Sequence, residues 1–171
     1  MTRPDELFTS PNPIHTISID TRYWLLENGF GLDNLDTPGR YWETPIILAC
    51  RNGLLPQVEE LIAAGVNINH RNADGTNCLW AAVAPDRIDI ADLLLKHGVD
   101  IDNQNKNGAT TLMYASSTGK TTWVSFLLDH GANPLLESLD GYTALDLAGN
   151  VQCMRLLRKL HWPIATARQP G

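Results

Sequence analysis

The chain has 171 residues, 43% hydrophobic and 19% charged, which is enough apolar material for one packed core and argues against a disordered body. Thirteen Lys and Arg stand against nineteen Asp and Glu, a net charge of −6. That balance opposes nucleic-acid binding, which needs a basic surface to displace counterions, and suits a basic protein partner. Cys50, Cys78 and Cys153 form no CxxC pair, so neither a disulfide framework nor a zinc ribbon is indicated, and no apolar run approaches the roughly 18 residues of a membrane span.

Taken in chain order, Met1-Thr-Arg-Pro-Asp-Glu-Leu-Phe8 lacks the apolar run of a secretion signal, which points to the cytoplasm. Residues 1–15, with Pro4, Pro11 and Pro13, read as a flexible arm. Tyr23-Trp-Leu-Leu-Glu-Asn-Gly29 reads as a helix closed by a glycine. A turn-rich loop through Pro38–Trp42 then leads into Trp42-Glu-Thr44-Pro-Ile46-Ile-Leu-Ala49.

That phrase returns with glycine at its head as Gly75-Thr-Asn77-Cys-Leu79-Trp-Ala-Ala82, Gly108-Ala-Thr110-Thr-Leu112-Met-Tyr-Ala115 and Gly141-Tyr-Thr143-Ala-Leu145-Asp-Leu-Ala148. Thr44, Asn77, Thr110 and Thr143 are each 33 residues apart. A second phrase keeps step with it: Leu61-Ile-Ala-Ala-Gly65, Leu94-Leu-Lys-His-Gly98 and Leu127-Leu-Asp-His-Gly131 are also 33 residues apart. One period shared by two phrases marks a repeat architecture.

One unit can be read physically. Asn77 or Thr110 caps a first helix, expected over Leu79–Ala84, by accepting a backbone N–H. A polar turn (Pro85-Asp86, or Thr118-Gly119) reverses the chain. A second helix, Asp89–His97, places Ile90, Leu94 and Leu95 on one face. Gly98 ends it, and a polar hairpin follows. Such a unit cannot bury its apolar face alone, so neighbours must stack.

In the Thr44-Pro45-Ile46 phrase, the helix–glycine–hairpin junctions and the 33-residue period, the sequence resembles the ankyrin-repeat family. The resemblance implies an all-α solenoid of helix-turn-helix units with projecting β-hairpin loops over residues 16–160. A degenerate N-terminal cap occupies 16–34, and four repeats follow at about 35–70, 71–103, 104–136 and 137–160, with a tail at 161–171. The family's histidine after Thr-Pro-Leu is replaced by Ile47, Trp80, Met113 and Asp146. The fourth unit is about three residues short around Gly149-Asn150, so an abnormal helix turn is expected there.

Chemistry is weakly signalled. Ser116-Ser-Thr-Gly119-Lys120-Thr121 has Tyr114 where a phosphate loop needs glycine, so it reads as the turn between two helices. His97 and His130 each precede a helix-ending glycine, where a cation favours the helix dipole; a metal pair would lack a third ligand. Asp86, Asp89 and Asp92 read as a charge-favourable first turn, and Cys50 and Cys78 as small packing residues. Trp24 and Trp123 read as core or inter-repeat residues, and Trp80 as half-buried. Trp42, which takes the place of the hairpin glycine beside Tyr41, is either a binding anchor or packing for the cap. No catalytic residue, metal or cofactor is expected, and the chain reads as a non-enzyme.

By resemblance, ankyrin stacks bind proteins along a concave face of hairpin tips and first helices. Carried onto this chain, that face comprises Tyr41, Trp42, Arg51 and Asn52 in the first repeat and Asp74, Pro85 and Arg87 in the second. The third supplies Lys106, Asn107 and Thr118, and the fourth Leu139, Asp140 and Tyr142. The implied function is protein binding without nucleic acid, membrane or small-molecule cofactor. A dedicated inhibitor, such as an immunity protein neutralising a toxin, and an adaptor or scaffold both stay open; an enzyme is the remote alternative.

Overall fold

The computed structural model describes residues 16–161; the expected arm at 1–15 and the tail from 162 onward lie outside the described residues. Eight α-helices occur among the described residues, and none of these residues lies in a strand. They fall into two compact units, one made of residues 16–73 and Asn77–Val99 and the other of Asp74–Thr76 and residues 100–161.

The first unit holds α1 (Ile19–Glu27), α2 (Pro45–Arg51), α3 (Leu55–Ala63), α4 (Cys78–Val83) and α5 (Ile88–Lys96). In α1, the Ser18 hydroxyl caps the helix by accepting from the Thr21 N–H at 3.2 Å. The Ser18 N–H donates to Glu60 Oε2 at 2.8 Å, which ties the start of α1 to α3. In α2, Pro45 supplies the fixed φ of a first helical position, and Thr44 makes no cap bond. In α4, Asn77 Oδ1 accepts from the Trp80 N–H at 3.2 Å, as the sequence anticipates. Helix α2 packs on α3 and α4, and α5 on α3 and α4.

The core of this unit is the apolar stripe of each helix: Leu25, Ile46, Ile47, Val58, Leu61, Leu79, Ile90 and Leu94 are all essentially sealed from solvent. Each such side chain contributes about 1.5–3 kcal/mol by leaving water. Ala49 and Ala82 are fully buried; at these positions a larger side chain would hold neighbouring helices apart. Cys50 and Cys78 are sealed in the same core, and burial, then the hydrogen bond and charge of Cys78, push the Cys50 thiol well above its ordinary pKa. The tight turns between paired helices turn on Gly53 (φ 68°) and Asp86 (φ 60°), left-handed conformations that aspartate tolerates better than most residues.

The second unit holds α6 (Thr111–Ser117), α7 (Thr121–Asp129) and α8 (Val151–His161). Thr110 Oγ1 caps α6 by accepting from the Met113 N–H at 3.2 Å. The indole of Trp123 is fully buried and meets Phe126 edge-on at 6.1 Å. Leu112, Met113, Leu127, Cys153 and Leu157 complete the core.

The fourth repeat departs from the others as its length foretells. Thr143 and Asp146 form a reciprocal cap, with the Thr143 N–H and hydroxyl donating to Asp146 Oδ2 at 2.8 and 2.6 Å. The capped segment nevertheless stays a turn, because the chain is too short to wind on and must reach α8. At its end the Gly149 N–H donates to the Ser116 carbonyl at 2.8 Å. A Cβ at Gly149 would lie 2.4 Å from the Ser117 carbonyl oxygen, so only glycine fits this approach. Asn150 Oδ1 then caps α8 through the Cys153 N–H at 2.8 Å.

Candidate functional site

Seven of the thirteen expected binding residues, Tyr41, Trp42, Lys106, Asn107, Leu139, Asp140 and Tyr142, sit on loops whose backbone is set by a recurring bond. Gly39 N–H donates to the Glu43 carbonyl at 2.8 Å, Asn105 to Ala109 at 2.9 Å and Ser138 to Tyr142 at 2.9 Å, each closing a five-residue hairpin turn rather than a strand ladder. Among the described residues no strand continues the pairing, so the projecting hairpins are turns.

In the first unit, Arg40–Trp42 forms one turn of 3-10 helix in which Tyr41 and Trp42 both have φ of 59°. Trp42 stands in register with Gly75, Gly108 and Gly141, whose φ values are 81°, 73° and 78°. The left-handed backbone costs a non-glycine residue about 1–2 kcal/mol. Both rings are nonetheless 65% exposed. The backbone around them is fixed: the Tyr41 carbonyl accepts from the Ala73 N–H at 2.9 Å, and the Trp42 carbonyl lies 3.0 Å from His70 Nε2. The Arg40 guanidinium stacks 4.9 Å over the Tyr41 ring. An aromatic pair is thus held outward on a rigid tip.

Arg51 and Asn52 are exposed at the end of α2, with Arg51 paired to Glu43. Pro85 and Arg87 are half-buried, and Arg87 is committed within the unit. Its Nε and Nη2 grip the Asp89 carboxylate at 2.8 and 2.6 Å, and Nη1 donates to the Gly53 carbonyl. The Asp89 hydrogen bonds raise the Arg87 pKa, and those from Arg87 hold the Asp89 carboxyl below its ordinary value. These two residues serve the helix turn more than the surface.

In the second unit the hairpin tips are joined directly. The Lys106 N–H donates to the Asp74 carbonyl and the Leu139 N–H to the Asn107 carbonyl, both at 2.9 Å. Asp74, Lys106, Asn107, Leu139, Asp140 and Tyr142 are all exposed on this row. Thr118 is exposed at the end of α6, its hydroxyl donating to the Tyr114 carbonyl at 2.8 Å.

Two apolar surfaces escaped the sequence reading. Leu135 is 59% exposed, and Ile19, Tyr23 and Leu26 form an outward stripe on α1 that, with Arg22 and Leu32, lines a cleft of about 220 Å³. The spacing of the stripe at i, i+4 and i+7 was legible, but the same helix buries Thr21 and Leu25, so both of its faces carry apolar residues and the pattern does not single one out.

The groups weighed for chemistry are locally engaged. His97 Nδ1 lies 2.9 Å from the Leu93 carbonyl and His130 Nδ1 2.8 Å from that of Phe126, each at the end of its own helix. Lys120 is the residue before α7, and Gly119 takes the turn with φ of 70°. Among the described residues no three His, Cys, Asp or Glu side chains gather as a metal site would need, and no helix is long and apolar enough to cross a membrane.

Sequence models of ankyrin repeats match the chain twice: one described as three copies over residues 18–105, and one described as many copies over residues 94–148. Among curated proteins none matches. The first match alone spans just over half of the sequence, and the helix pairs and glycine turns follow the same period, so the chain belongs to the ankyrin-repeat family.

Proposed function

We propose that this protein binds a basic partner protein through its hairpin tips and first-helix surfaces, and that it works as a dedicated inhibitor of that partner. Ankyrin repeats generally mediate protein–protein interaction. The observation that supports this face is the distribution of exposed apolar residues. Five of the nine large apolar side chains exposed among the described residues, Tyr41, Trp42, Leu135, Leu139 and Tyr142, lie on the loops between repeats. Aromatic side chains held rigidly outward are the residues that dominate interface energies. The acidic excess of six charges favours a basic partner and speeds encounter with it.

Capture from native extract with the full chain identifies the partner, and the stoichiometry separates the roles. An inhibitor retains one protein and suppresses its activity, whereas an adaptor retains two that do not bind each other without it. Trp42→Ala and Tyr142→Ala are expected to weaken partner binding by about 1–3 kcal/mol while leaving the melting temperature nearly unchanged. Glu59→Ala and Lys96→Ala, on second helices, should leave binding as it is. Loss of binding in the second-helix pair with retention in the hairpin pair would assign the function to the other side of the repeats.

A further inference from the structure

Within the second unit, each hairpin tip is a seat for the next. Gly75 is covered by the backbone of Asn105 and Lys106, so that a Cβ on it would lie 3.0 Å from the Lys106 nitrogen. Gly108 is covered in the same way by Ser138 and Leu139, with 2.7 Å to the Leu139 nitrogen. Beside each covered glycine the preceding carbonyl, of Asp74 or Asn107, receives the incoming N–H. The equivalent pair at the last hairpin is Gly141 and the Asp140 carbonyl. Among the described residues nothing lies within 4 Å of a Cβ built on Gly141, and none donates to the Asp140 carbonyl.

A repeat face left to water is normally polar. Among the described residues, the edge of the hairpin at 135–142 instead exposes Leu135, Leu139 and Tyr142. Leu135 takes the position held by Asp36, Asn69 and Asp102, two of which accept an N–H from the next loop (Asn67 to Asp36 at 2.8 Å, Asn133 to Asp102 at 2.9 Å). Leu139 takes that of Arg40, Ala73 and Lys106, and is 78% exposed. Tyr142 takes that of Glu43, Thr76 and Ala109. From Lys120 to Arg155 the intervening sequence has no lysine or arginine and carries Asp129, Glu137, Asp140 and Asp146.

We propose that the edge of the last hairpin, residues 135–142, docks an extended segment of the partner protein in which an apolar side chain is flanked by basic ones. The segment lies across Gly141, donates a backbone N–H to the Asp140 carbonyl, and sets its apolar side chain against Leu139 and Tyr142. The two internal tips display this docking with the chain's own backbone, and the acidic surroundings select the basic flanks. The inference rests on the protein-binding reading above and assigns a second element of recognition to it.

The test uses the full-length chain and a capped synthetic peptide, Lys-Val-Lys-Val-Lys-Val-Lys. A twin with every interior backbone nitrogen methylated keeps charge and side chains but has lost the N–H donors. Titrated into the isotope-labelled protein, the first peptide should shift the amide signals of residues 139–142, and the methylated twin should bind about tenfold more weakly. Leu139→Ser should weaken the first peptide by about fivefold with an unchanged melting temperature. Equal binding of the twin, shifts spread over other acidic loops, insensitivity to Leu139→Ser, or no shift at about 1 mM peptide would each overturn the proposal. If the peptide fails while Trp42→Ala still weakens a captured partner, the docking edge falls and the protein-binding reading stands.

Discussion

The first hairpin and the third are built to one plan from opposite materials. Both close through one backbone bond, Gly39 to Glu43 and Asn105 to Ala109, and both place a left-handed residue at the same step. In the third hairpin that residue is Gly108, and a Cβ there would lie 2.7 Å from the next backbone. In the first it is Trp42, which has Tyr41 beside it in the same conformation and both rings in solvent. The repeat therefore dictates the backbone even where the residue is poorly suited to it. Where glycine is absent the cost is borne by helices elsewhere, and an exposed feature is gained.

The contrast presumes that the helices hold the fold and the loops merely follow. Leu94→Ala, in α5, should then destabilise by about 2–5 kcal/mol in chemical denaturation, because it empties a site fully buried among stacked helices. A loss below about 0.5 kcal/mol would place the stability elsewhere and dissolve the comparison. Gly108→Ala comes next. It should lose at least the about 1–2 kcal/mol of the left-handed penalty, together with the cost of moving the backbone of Ser138 and Leu139.

Trp42→Gly should go the other way and raise stability by about 1 kcal/mol, since position 42 is then free of the left-handed penalty while Tyr41 keeps its own. It should weaken partner binding at the same time. A stabilised variant that binds as well as the parent would reduce the aromatic tip to a tolerated accident.

The smallest effect concerns the tie between α1 and α3. Burial pushes the Glu60 carboxyl upward, but the Ser18 N–H and the hydroxyls of Thr21 and Ser18 outweigh it and hold the pKa below its ordinary value. A group depressed in the folded state contributes stability above its unfolded pKa and loses it as pH falls through the folded one. Melting measured from neutral to acid pH should therefore show a shallower decline in Glu60→Gln than in the parent, and parallel curves would remove the tie.

Much of this architecture was legible because a repeat announces itself in spacing. Thr44, Asn77, Thr110 and Thr143 located the first helices, and Gly65, Gly98 and Gly131 the ends of the second. The helices begin and end a residue earlier than the periodicity predicted, at Cys78 and Lys96 rather than Leu79 and His97, because cap residues belong to neither helix nor loop. The shortfall near Gly149 signalled an abnormal fourth unit. That it removes the first helix outright depends on Gly149 meeting the Ser116 carbonyl, a contact no local pattern encodes. Mapping by position also could not tell which surface residues were already engaged. Tyr41 and Arg87 were read alike, yet one points its ring into solvent and the other grips Asp89 and Gly53. That no described residue covers Gly141 is visible only once the seats at Gly75 and Gly108 are seen filled.

The three sealed cysteines make the molecule its own stopwatch. Alkylating reagents attack thiolates, and Cys50, Cys78 and Cys153 are all completely buried, with the Cys50 thiol also pushed up in pKa. In the folded chain none of them meets a reagent, so every labelling event records an excursion that opens the helix carrying it. Cys50 and Cys78 time the first unit and Cys153 times α8 in the second. Mass spectrometry of the unaltered protein can therefore read the breathing of each unit separately, with no engineered probe.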